Sequence, residues 1–256
     1  MTKITGCDAQ WLDESALPPL LTAAEQLAVD EAILDEAESG QLKNTVVRTW
    51  QATTPAVVLG SSSKLHKEVN YDTCTQLNIP VIRRPSGGAT VILGPGCVMW
   101  SIVIPYKDVP PLEAIHAAML DPLAEALSAT GRNVAREGTS DLVIRAAGRA
   151  KKISGNALRV RRQSVLYHGT LLDAFPLELV GQLLRHPPRE PKYRRQRSHS
   201  DFLTNLLLGR EQIDKAVRTA FAAWDNKITW PHQQVRQLVE SRYAVSYTHL
   251  TLPTKA

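Results

Sequence analysis

The chain has 256 residues, of which 43% are hydrophobic, and this is enough to bury a substantial core in one large domain or two small ones. Three cysteines, Cys7, Cys74 and Cys97, lie too far apart for a C-x-x-C metal or redox pair, and their odd number argues against a secreted disulfide framework. The amino terminus lacks a signal-peptide pattern, and no stretch approaches the roughly 20 apolar residues of a membrane helix. We therefore expect a soluble, cytoplasmic protein without a membrane partner.

The formal net charge of +5 is compatible with a nucleic-acid partner, an anionic small molecule or an acidic protein. Basic residues concentrate at 145–162 and 185–197, whereas 25–38 is acidic. Aromatic residues make up only 5% of the chain and do not alternate with the basic clusters. This composition disfavours a protein that binds single-stranded nucleic acid by base stacking.

The first helix is predicted by a capping box at Thr22 and Glu25, followed by an apolar stripe that runs to Glu38 and stops at Gly40. After this helix, a shorter one is predicted at 69–77. Hydrophobic alternation and turn residues predict strands at 46–50, 56–59, 79–83, 90–93 and 97–104.

The second half of the chain begins with a predicted helix at 112–130, which ends at Gly131. Strands are predicted at 142–147, 153–160 and 164–172, and two further helices at 177–184 and 210–224 close the chain. Because helices and strands do not alternate regularly, we expect an α+β fold with a mixed, mostly antiparallel sheet flanked by helices. We expect a single domain over residues 1–244.

The segment at 83–88 reads RRPSGG and lies between two predicted strands. This position excludes the phosphate loop of nucleoside triphosphatases, which opens a helix and ends in G-K-S or G-K-T. Glycines let the backbone pass close to a ligand, and exposed amides and a guanidinium can receive an anion. A β-turn with two surface arginines explains the same residues equally well.

Two later clusters also have a functional and a structural interpretation. The segment at 148–157, GRAKKISGNA, places Lys152 at the edge of a strand, where it could hold a carboxylate and a phosphoryl oxygen together. A basic hairpin end is the commoner explanation for such a lysine on its own. The segment at 167–172, YHGTLL, puts His168 in an apolar strand, where a histidine is more often structural than catalytic.

In this order, the three clusters resemble the lipoate-protein ligase family, part of the biotin/lipoate protein ligase catalytic domain superfamily and related to octanoyltransferases. Segment 83–91 is similar to the family loop R-R-x-S-G-G-G-x-V, and 138–142 to its N-D-L segment. Segments 152–157 and 168–172 are similar to K-x-S-G-x-A and H-G-T-L-L. The resemblance spans about residues 24–208 and implies a fold similar to class II aminoacyl-tRNA synthetases and biotin synthetases.

The resemblance implies a two-step reaction. Lipoate or octanoate attacks the α-phosphorus of ATP, assisted by Mg²⁺, and a lysine of a lipoyl carrier domain then captures the acyl-adenylate. The carrier would belong to a 2-oxoacid dehydrogenase E2 subunit or to the glycine-cleavage H protein. Nucleic acid is not an expected partner.

The resemblance also implies roles for individual residues. Lys152 would be catalytic and would contact the acyl carboxylate and the α-phosphate, while Arg84 would bind the nucleotide phosphates. Asp141 would place ATP or its Mg²⁺, since no metal site formed by protein alone is expected. The other implied ATP and acyl-adenylate residues are Ser86, Gly87, Gly88, Ala89, Thr90, Val91, Ile92, Ser154 and Gly155. The acyl pocket would be bordered by His168, Gly169 and Thr170, with an apolar tunnel formed by Val91, Val98 and Ile102.

The chain departs from the family pattern at three places. Ala89 replaces the third loop glycine, LGPG at 93–96 replaces the usual His-Asp, and Ser140 stands where asparagine is expected. The Gly-Pro-Gly turn resembles the octanoyltransferase branch, which works through a cysteine thiolate and needs no ATP. Cys97 lies near the loop but not at the family's nucleophile position, and a small buried hydrophobic residue is the better interpretation. We therefore prefer the ligase to the octanoyl or lipoyl transferase.

A third hypothesis is a non-catalytic module that binds a lipoyl carrier or nucleic acid through basic residues at 159–162 and 189–197. A solvated loop over the site, or a loop that docks an acidic carrier, explains the second stretch as well. Residues 245–256 continue no periodicity and resemble translated sequencing-adapter sequence. We expect them to be a non-native tail without function.

Overall fold

The computed structural model of the chain describes residues 9–13, 15, 22–146, 148–225 and 230–243. The predicted tail at 245–256 and Cys7 lie outside these residues, and the single-domain boundary at 244 stays a prediction. Within the described residues, no helix is both long and apolar enough to cross a membrane.

Eight α-helices are present in the described part of the chain. They are α1 (Ala23–Glu38), α2 (Leu65–Glu68), α3 (Tyr71–Gln76), α4 (Leu112–Ser128), α5 (Glu178–Leu183), α6 (His199–Phe202), α7 (Arg210–Phe221) and α8 (His232–Leu238). A 3-10 turn lies at Lys192–Arg194, and a π-helical turn at Val239–Tyr243 follows α8.

The strands form two sheets. They are β1 (Gln10–Trp11), β2 (Val46–Gln51), β3 (Ala56–Leu59), β4 (Val81–Arg83), β5 (Val91–Leu93), β6 (Cys97–Pro105), β7 (Val134–Glu137), β8 (Asp141–Ala146), β9 (Arg149–Val160), β10 (Ser164–Leu172) and β11 (Trp224–Asp225). The large sheet has the order β11-β1-β2-β6-β10-β9-β8-β7, and β4-β3-β5 form the small one. All neighbours from β2 to β7 in the large sheet are antiparallel, whereas β1 pairs in parallel with β2 and β11. The predicted α+β fold with a mixed, mostly antiparallel sheet is therefore confirmed.

The first helix begins where the capping box predicts. The Thr22 side chain accepts a hydrogen bond from the Glu25 amide, and the Glu25 carboxylate accepts one from the Thr22 amide at 2.7 Å. Together these bonds satisfy donors that the first turn of a helix leaves without partners. Most of the helix is buried, because it packs against β6 and β10 on one side and α8 on another.

Strand β6 separates the two hydrophobic cores of the molecule. Cys97, Met99 and Val103 belong to the core that contains α1. The core that contains α4 and α7 includes Val98, Trp100, Ile102 and Ile104. Side chains alternate between the two faces of a strand, so consecutive apolar residues supply both cores. Neither face of this strand is exposed to solvent.

Several predicted boundaries differ from the structure for physical reasons. The helix predicted at 69–77 begins only at Tyr71, because Val69 forms an isolated bridge with Leu184. Sequence analysis missed β7, an edge strand in which only Val134 is buried. The expectation that a helix at 210–224 would close the chain was also wrong. Helix α8 follows it, and its sequence HQQVRQL contributes a single buried residue, Val235.

Candidate active site

A cavity of about 450 Å³ lies beside the large sheet in the described part of the chain. Its walls come from β6, β10, β9 and β8, from the loop between β4 and β5, and from α5 and the segment that follows it. Small-molecule sites in proteins typically have volumes of roughly 300–1,000 Å³. The cavity therefore has the size of a binding site for a small ligand.

The two ends of the cavity differ in chemical character. Met99 on β6 and Leu172 on β10 line one end, together with Leu27, Phe175, Val180 and Leu184. Asp141 on β8 and Lys152 on β9 line the other, and Arg185 and Arg189 also border the cavity. Since β6, β10, β9 and β8 are successive neighbours in the sheet, the apolar and charged linings lie side by side. The cavity fits a ligand with an apolar body and an anionic head.

The glycine loop at 83–90 is held in place mainly by Arg84. Its Nε donates to Ser86 Oγ at 3.0 Å, Nη1 to the Val58 carbonyl at 3.1 Å, and Nη2 to the carbonyls of Gly87 and Ala89 at 2.7 and 2.9 Å. Burial lowers the pKa of Arg84 to about 10, with Glu68 raising it, so the guanidinium remains charged at neutral pH. Arg84 therefore organises the loop from beneath and gives it a positive charge.

A buried row of polar side chains continues from this arginine. Ser86 Oγ lies 2.6 Å from His168 Nε2, and His168 Nδ1 lies 3.9 Å from Asp30 Oδ2. The direction of the hydrogen bond between Ser86 and His168 depends on the tautomer of the ring. The same three residue types form the catalytic triad of hydrolases. Here Ser86 is fully buried and lies outside the cavity lining. These side chains therefore connect α1 to the loop, and Ser86 presents no nucleophile.

Glu68 fixes the second half of the loop. Its Oε2 accepts hydrogen bonds from the Thr90 amide and hydroxyl at 3.0 and 2.7 Å, and from Ser63 Oγ at 3.0 Å. Glu68 is buried and also borders the cavity. Its role was not predicted, because Glu68 and Thr90 are 22 positions apart and no local pattern signals this contact.

Lys152 and Asp141 form the charged centre of the cavity. Lys152 Nζ lies 2.8 Å from Asp141 Oδ1, and the Tyr193 hydroxyl donates to Asp141 Oδ2 at 2.8 Å. Burial, followed by the nearby Asp141, raises the pKa of Tyr193, so its hydroxyl remains a neutral donor. The amine is thus held at the cavity wall by a carboxylate that is itself fixed from the other side.

Asn156 positions the turn that precedes Asp141. Its Nδ2 donates to the Ser140 carbonyl at 2.8 Å and to Ser154 Oγ at 3.0 Å. A Cβ added at Gly169 would lie 1.7 Å from Asn156 Oδ1, so a side chain at that position is excluded. The glycine in YHGTLL is therefore required by a contact between neighbouring strands.

Most of the residues singled out from the sequence border this single cavity. They are Arg84, Gly88, Ala89, Thr90, Val91, Ile92, Asp141, Lys152, Ser154, Gly155, His168, Gly169 and Thr170. Ser86 and Gly87 belong to the loop but lie outside the lining. The three sequence clusters, which are separated by up to 85 residues, therefore meet in space. Their individual roles stay predictions.

The predicted apolar tunnel needs correction. Val91 borders the cavity, but Val98 and Ile102 point to the opposite face of β6 and pack in the core with α4. Met99, which the sequence analysis did not select, takes the cavity side. The prediction was wrong because the run CVMWSIVIP is apolar on both faces and does not reveal which residues face which core.

Cys97 lacks the environment of a reactive nucleophile. It is fully buried at the start of β6 and does not border the cavity. Burial raises the pKa of its thiol to about 12, so the thiolate that nucleophilic catalysis needs is absent at neutral pH. Cys74, the other described cysteine, is buried outside the cavity as well. These observations agree with the structural interpretation of Cys97.

The described residues contain no group of three or more His, Cys, Asp or Glu side chains that could hold a metal ion. Magnesium usually binds one or two carboxylates together with substrate phosphates. Asp141 offers such a carboxylate at the charged end of the cavity, where each oxygen has one donor within 2.8 Å and keeps further acceptor capacity. Magnesium would thus enter together with a phosphate-bearing ligand.

Comparisons with known proteins agree with this geometry. Residues 22–222 match the lipoyl protein ligase A/B catalytic domain family. The fold is similar to the bi-partite lipoate protein ligase of Thermoplasma acidophilum, described with its E2 lipoyl domain, at 18% identity and a TM-score of 0.79, with 99% of each chain covered. It is similar to a lipoate-protein ligase A bound with ATP at 20% identity and a TM-score of 0.77, covering 95% of this chain and 98% of that one.

A Thermoplasma acidophilum protein with bound lipoic acid is similar at 20% identity and a TM-score of 0.77, covering 96% of this chain and 98% of that one. At these identities the structural matches establish the fold. The family match extends over more than half of the chain and contains the glycine loop, Asp141, Lys152 and His168. The chain belongs to the lipoyl protein ligase A/B catalytic domain family and is an enzyme of the lipoate-protein ligase type.

Proposed function

We propose that the chain is an ATP-dependent lipoate-protein ligase, which activates lipoate or octanoate as the acyl-adenylate and transfers it to a lysine of a lipoyl carrier domain. The observation that carries this proposal is the position of Lys152. Its amine stands at the charged end of a cavity whose neighbouring end is apolar, beside a glycine loop. Relatives of the same fold are described with ATP and with lipoic acid, which supports both small substrates.

The apolar end is the site we assign to the acyl chain. Met99, Leu172 and Phe175 offer a lining without charge, and His168 and Thr170 border it. Burial lowers the pKa of His168, with Asp30 raising it, so the ring is neutral at neutral pH and suits an apolar neighbour. With the chain in this end, the substrate carboxylate would face Lys152.

The glycine loop is the site we assign to the nucleotide phosphates. In the described chain, the amides of Gly88 and Ala89 donate to no other group and are available to an anion. Gly88 has a φ of +88°, a conformation that favours glycine. Four donor contacts of Arg84 hold the loop itself, so we assign this residue to shaping the loop and to placing a positive charge beneath the phosphates.

In the first step, a carboxylate oxygen of the acyl substrate forms a bond to the α-phosphorus of ATP, and pyrophosphate leaves. Negative charge increases on the α-phosphoryl oxygens, and the Lys152 ammonium stabilises it. A positioned charge of this kind typically contributes about 100-fold or more in rate. Asp141 orients the ammonium, and Mg²⁺ entering with ATP would neutralise phosphate charge beside the same carboxylate.

In the second step, the amine of the carrier lysine attacks the acyl carbonyl, the amide bond forms, the amine loses a proton, and AMP leaves. A relative of this fold is described with its E2 lipoyl domain, which supports a lipoyl domain as the acceptor. The glycine-cleavage H protein is the other carrier we propose. The buried free thiols of Cys74 and Cys97 suit a reducing compartment, and we place the reaction in the cytoplasm.

Pyrophosphate exchange into ATP tests this proposal. We expect exchange that requires lipoate or octanoate, is lost in Lys152→Ala and is kept in Cys97→Ala. The transferase alternative predicts the opposite pattern, namely no exchange and acyl transfer from an acyl carrier that requires Cys97. That second pattern would overturn the ligase proposal.

A further inference from the structure

The segment at 185–197, which we call the basic segment, is one of two strongly basic stretches of the protein. It contains six Lys or Arg residues and one Glu, so its net charge of +5 equals that of the whole chain. The remaining sequence is balanced, with equal numbers of basic and acidic residues. The segment is therefore a local concentration of positive charge.

Two arginines of this segment are internal anchors. Arg194 is buried, its guanidinium lies 4.7 Å from the centroid of the Phe202 ring, and its Nε is 3.5 Å from Glu190. Arg197 donates to the carbonyls of Ala150 and Tyr193 at 3.0 and 2.9 Å. These contacts fix the segment against β9 and α6.

The other four cations face solvent. Arg185, Arg189, Lys192 and Arg195 are exposed, and no carboxylate of the described residues lies within 4.0 Å of their charged groups. Arg195 has a φ of +53°, a left-handed conformation that residues with side chains adopt rarely. The fixed backbone thus presents charges that have no partner within the described molecule.

The four cations differ in their relation to the cavity. Arg185 and Arg189 border it, whereas Lys192 and Arg195 lie beyond its lining. Between them, the Tyr193 hydroxyl binds Asp141, the partner of Lys152. Because Arg185 and Arg189 border the cavity and Tyr193 binds Asp141, a molecule bound to the basic segment would lie next to the cavity.

We propose that Arg185, Arg189, Lys192 and Arg195 form a docking surface for an acidic face of the carrier protein, with carboxylates that flank the acceptor lysine. This inference rests on the proposed ligase function and identifies where the second substrate binds. Charges at the rim of an interface mainly accelerate association and set orientation, and their effect decreases with salt. The surface would bring the acceptor lysine to the mouth of the cavity.

Nucleic acid fits the segment less well than an acidic protein. Single-stranded nucleic acids bind through basic grooves that also offer aromatic rings for base stacking. The only aromatic residue of the segment apart from His186 is Tyr193, whose hydroxyl binds Asp141 and whose ring packs 5.2 Å from the Phe202 ring. This ring is engaged inside the protein.

The test is a charge reversal outside the cavity. In Lys192→Glu/Arg195→Glu, we expect the Kd for an unmodified E2 lipoyl domain, measured by fluorescence anisotropy, to rise about tenfold or more. The neutral variant Lys192→Ala/Arg195→Ala should show a smaller rise in the same direction. The control Lys43→Glu/Lys107→Glu changes the net charge equally at two exposed positions outside the cavity lining, and its Kd should stay within about twofold of the original.

Salt dependence and pyrophosphate exchange complete the test. Raising salt from 50 to 200 mM should weaken carrier binding by the original protein more than by the charge-reversed variant. Pyrophosphate exchange should be equal in both, because neither residue borders the cavity. An unchanged Kd of the charge-reversed variant for the lipoyl domain would overturn the docking surface. So would a rise of its KM for ATP as large as the rise of its Kd, or binding of an oligonucleotide that the original protein shows and the variant lacks. Absence of exchange from the original protein would instead contradict the ligase function, and the Kd comparison would still decide the docking surface.

Discussion

Replacing Gly155 by alanine should displace the Lys152 amine without weakening the fold. Gly155 borders the cavity on β9, and an added Cβ would lie 3.0 Å from Lys152 Nζ and 3.1 Å from Lys152 Cε. Ordinary contacts between such atoms are about 3.5–4.0 Å, so the amine must move by roughly 0.5–1 Å. Because Nζ ends a flexible side chain, it moves easily, but this lengthens its 2.8 Å contact with Asp141.

The expected loss of activity follows from this displacement. A misplacement of about 1 Å can reduce the rate by roughly 100-fold, which corresponds to about 2.7 kcal/mol in the activation barrier. The free energy of unfolding should stay equal or rise by up to about 1 kcal/mol, because glycine is unfavourable inside a strand. Gly155 does not have a positive φ, so alanine fits its backbone.

Pyrophosphate exchange and urea denaturation of Gly155→Ala measure the two effects separately. Gly181→Ala is the matched control, since a Cβ at Gly181 in α5 meets no atom within 4 Å. The control should keep full exchange and gain stability. Full exchange activity in Gly155→Ala would show that Lys152 does not need its observed position, and would refute this reasoning.

Three further substitutions test other parts of the site. Tyr193→Phe removes a donor to Asp141 worth about 1.5–3 kcal/mol, so Tm should fall by several degrees and exchange should fall about tenfold or more; full activity would contradict a positioning role. Cys97→Ala should keep exchange and lower the free energy of unfolding by about 1 kcal/mol in urea melts, whereas loss of activity in a folded variant would restore the thiol as a candidate nucleophile. His168 has a lowered pKa in the folded protein, so the unfolded chain binds its proton first and the free energy of unfolding should decrease as pH falls below about 6.5. His168→Gln should reduce this slope in urea melts at pH 5.5 and 7.5, and an unchanged slope would contradict the assignment.

Local signals made much of the fold predictable. The capping box located the start of α1 at Thr22, and turn residues bounded β3 at the observed positions 56–59. These signals depend on neighbours in the sequence, so they can be read without the fold. Edge strand β7 and helix α8 have few buried residues, and their stability comes from neighbours that the sequence does not identify.

In the candidate site, only the residues that belong to sequence motifs were predictable. Lys152, Asp141 and the glycine loop were found because each belongs to a segment that resembles one family. Glu68 and Tyr193 were missed because each acts through a partner 22 or 52 residues away, at Thr90 and Asp141. Contacts of this kind depend on tertiary packing, which no local pattern encodes.

Intact-mass analysis of a lipoyl domain tests whether the protein is an ATP-dependent lipoate ligase. The protein is incubated with ATP, Mg²⁺, lipoate and an unmodified E2 lipoyl domain, and the reaction is repeated without ATP and with the Lys152→Ala variant. We expect that one lipoyl group is added to the acceptor lysine only in the complete reaction with the original protein. Modification without ATP, or undiminished modification by Lys152→Ala, would contradict it.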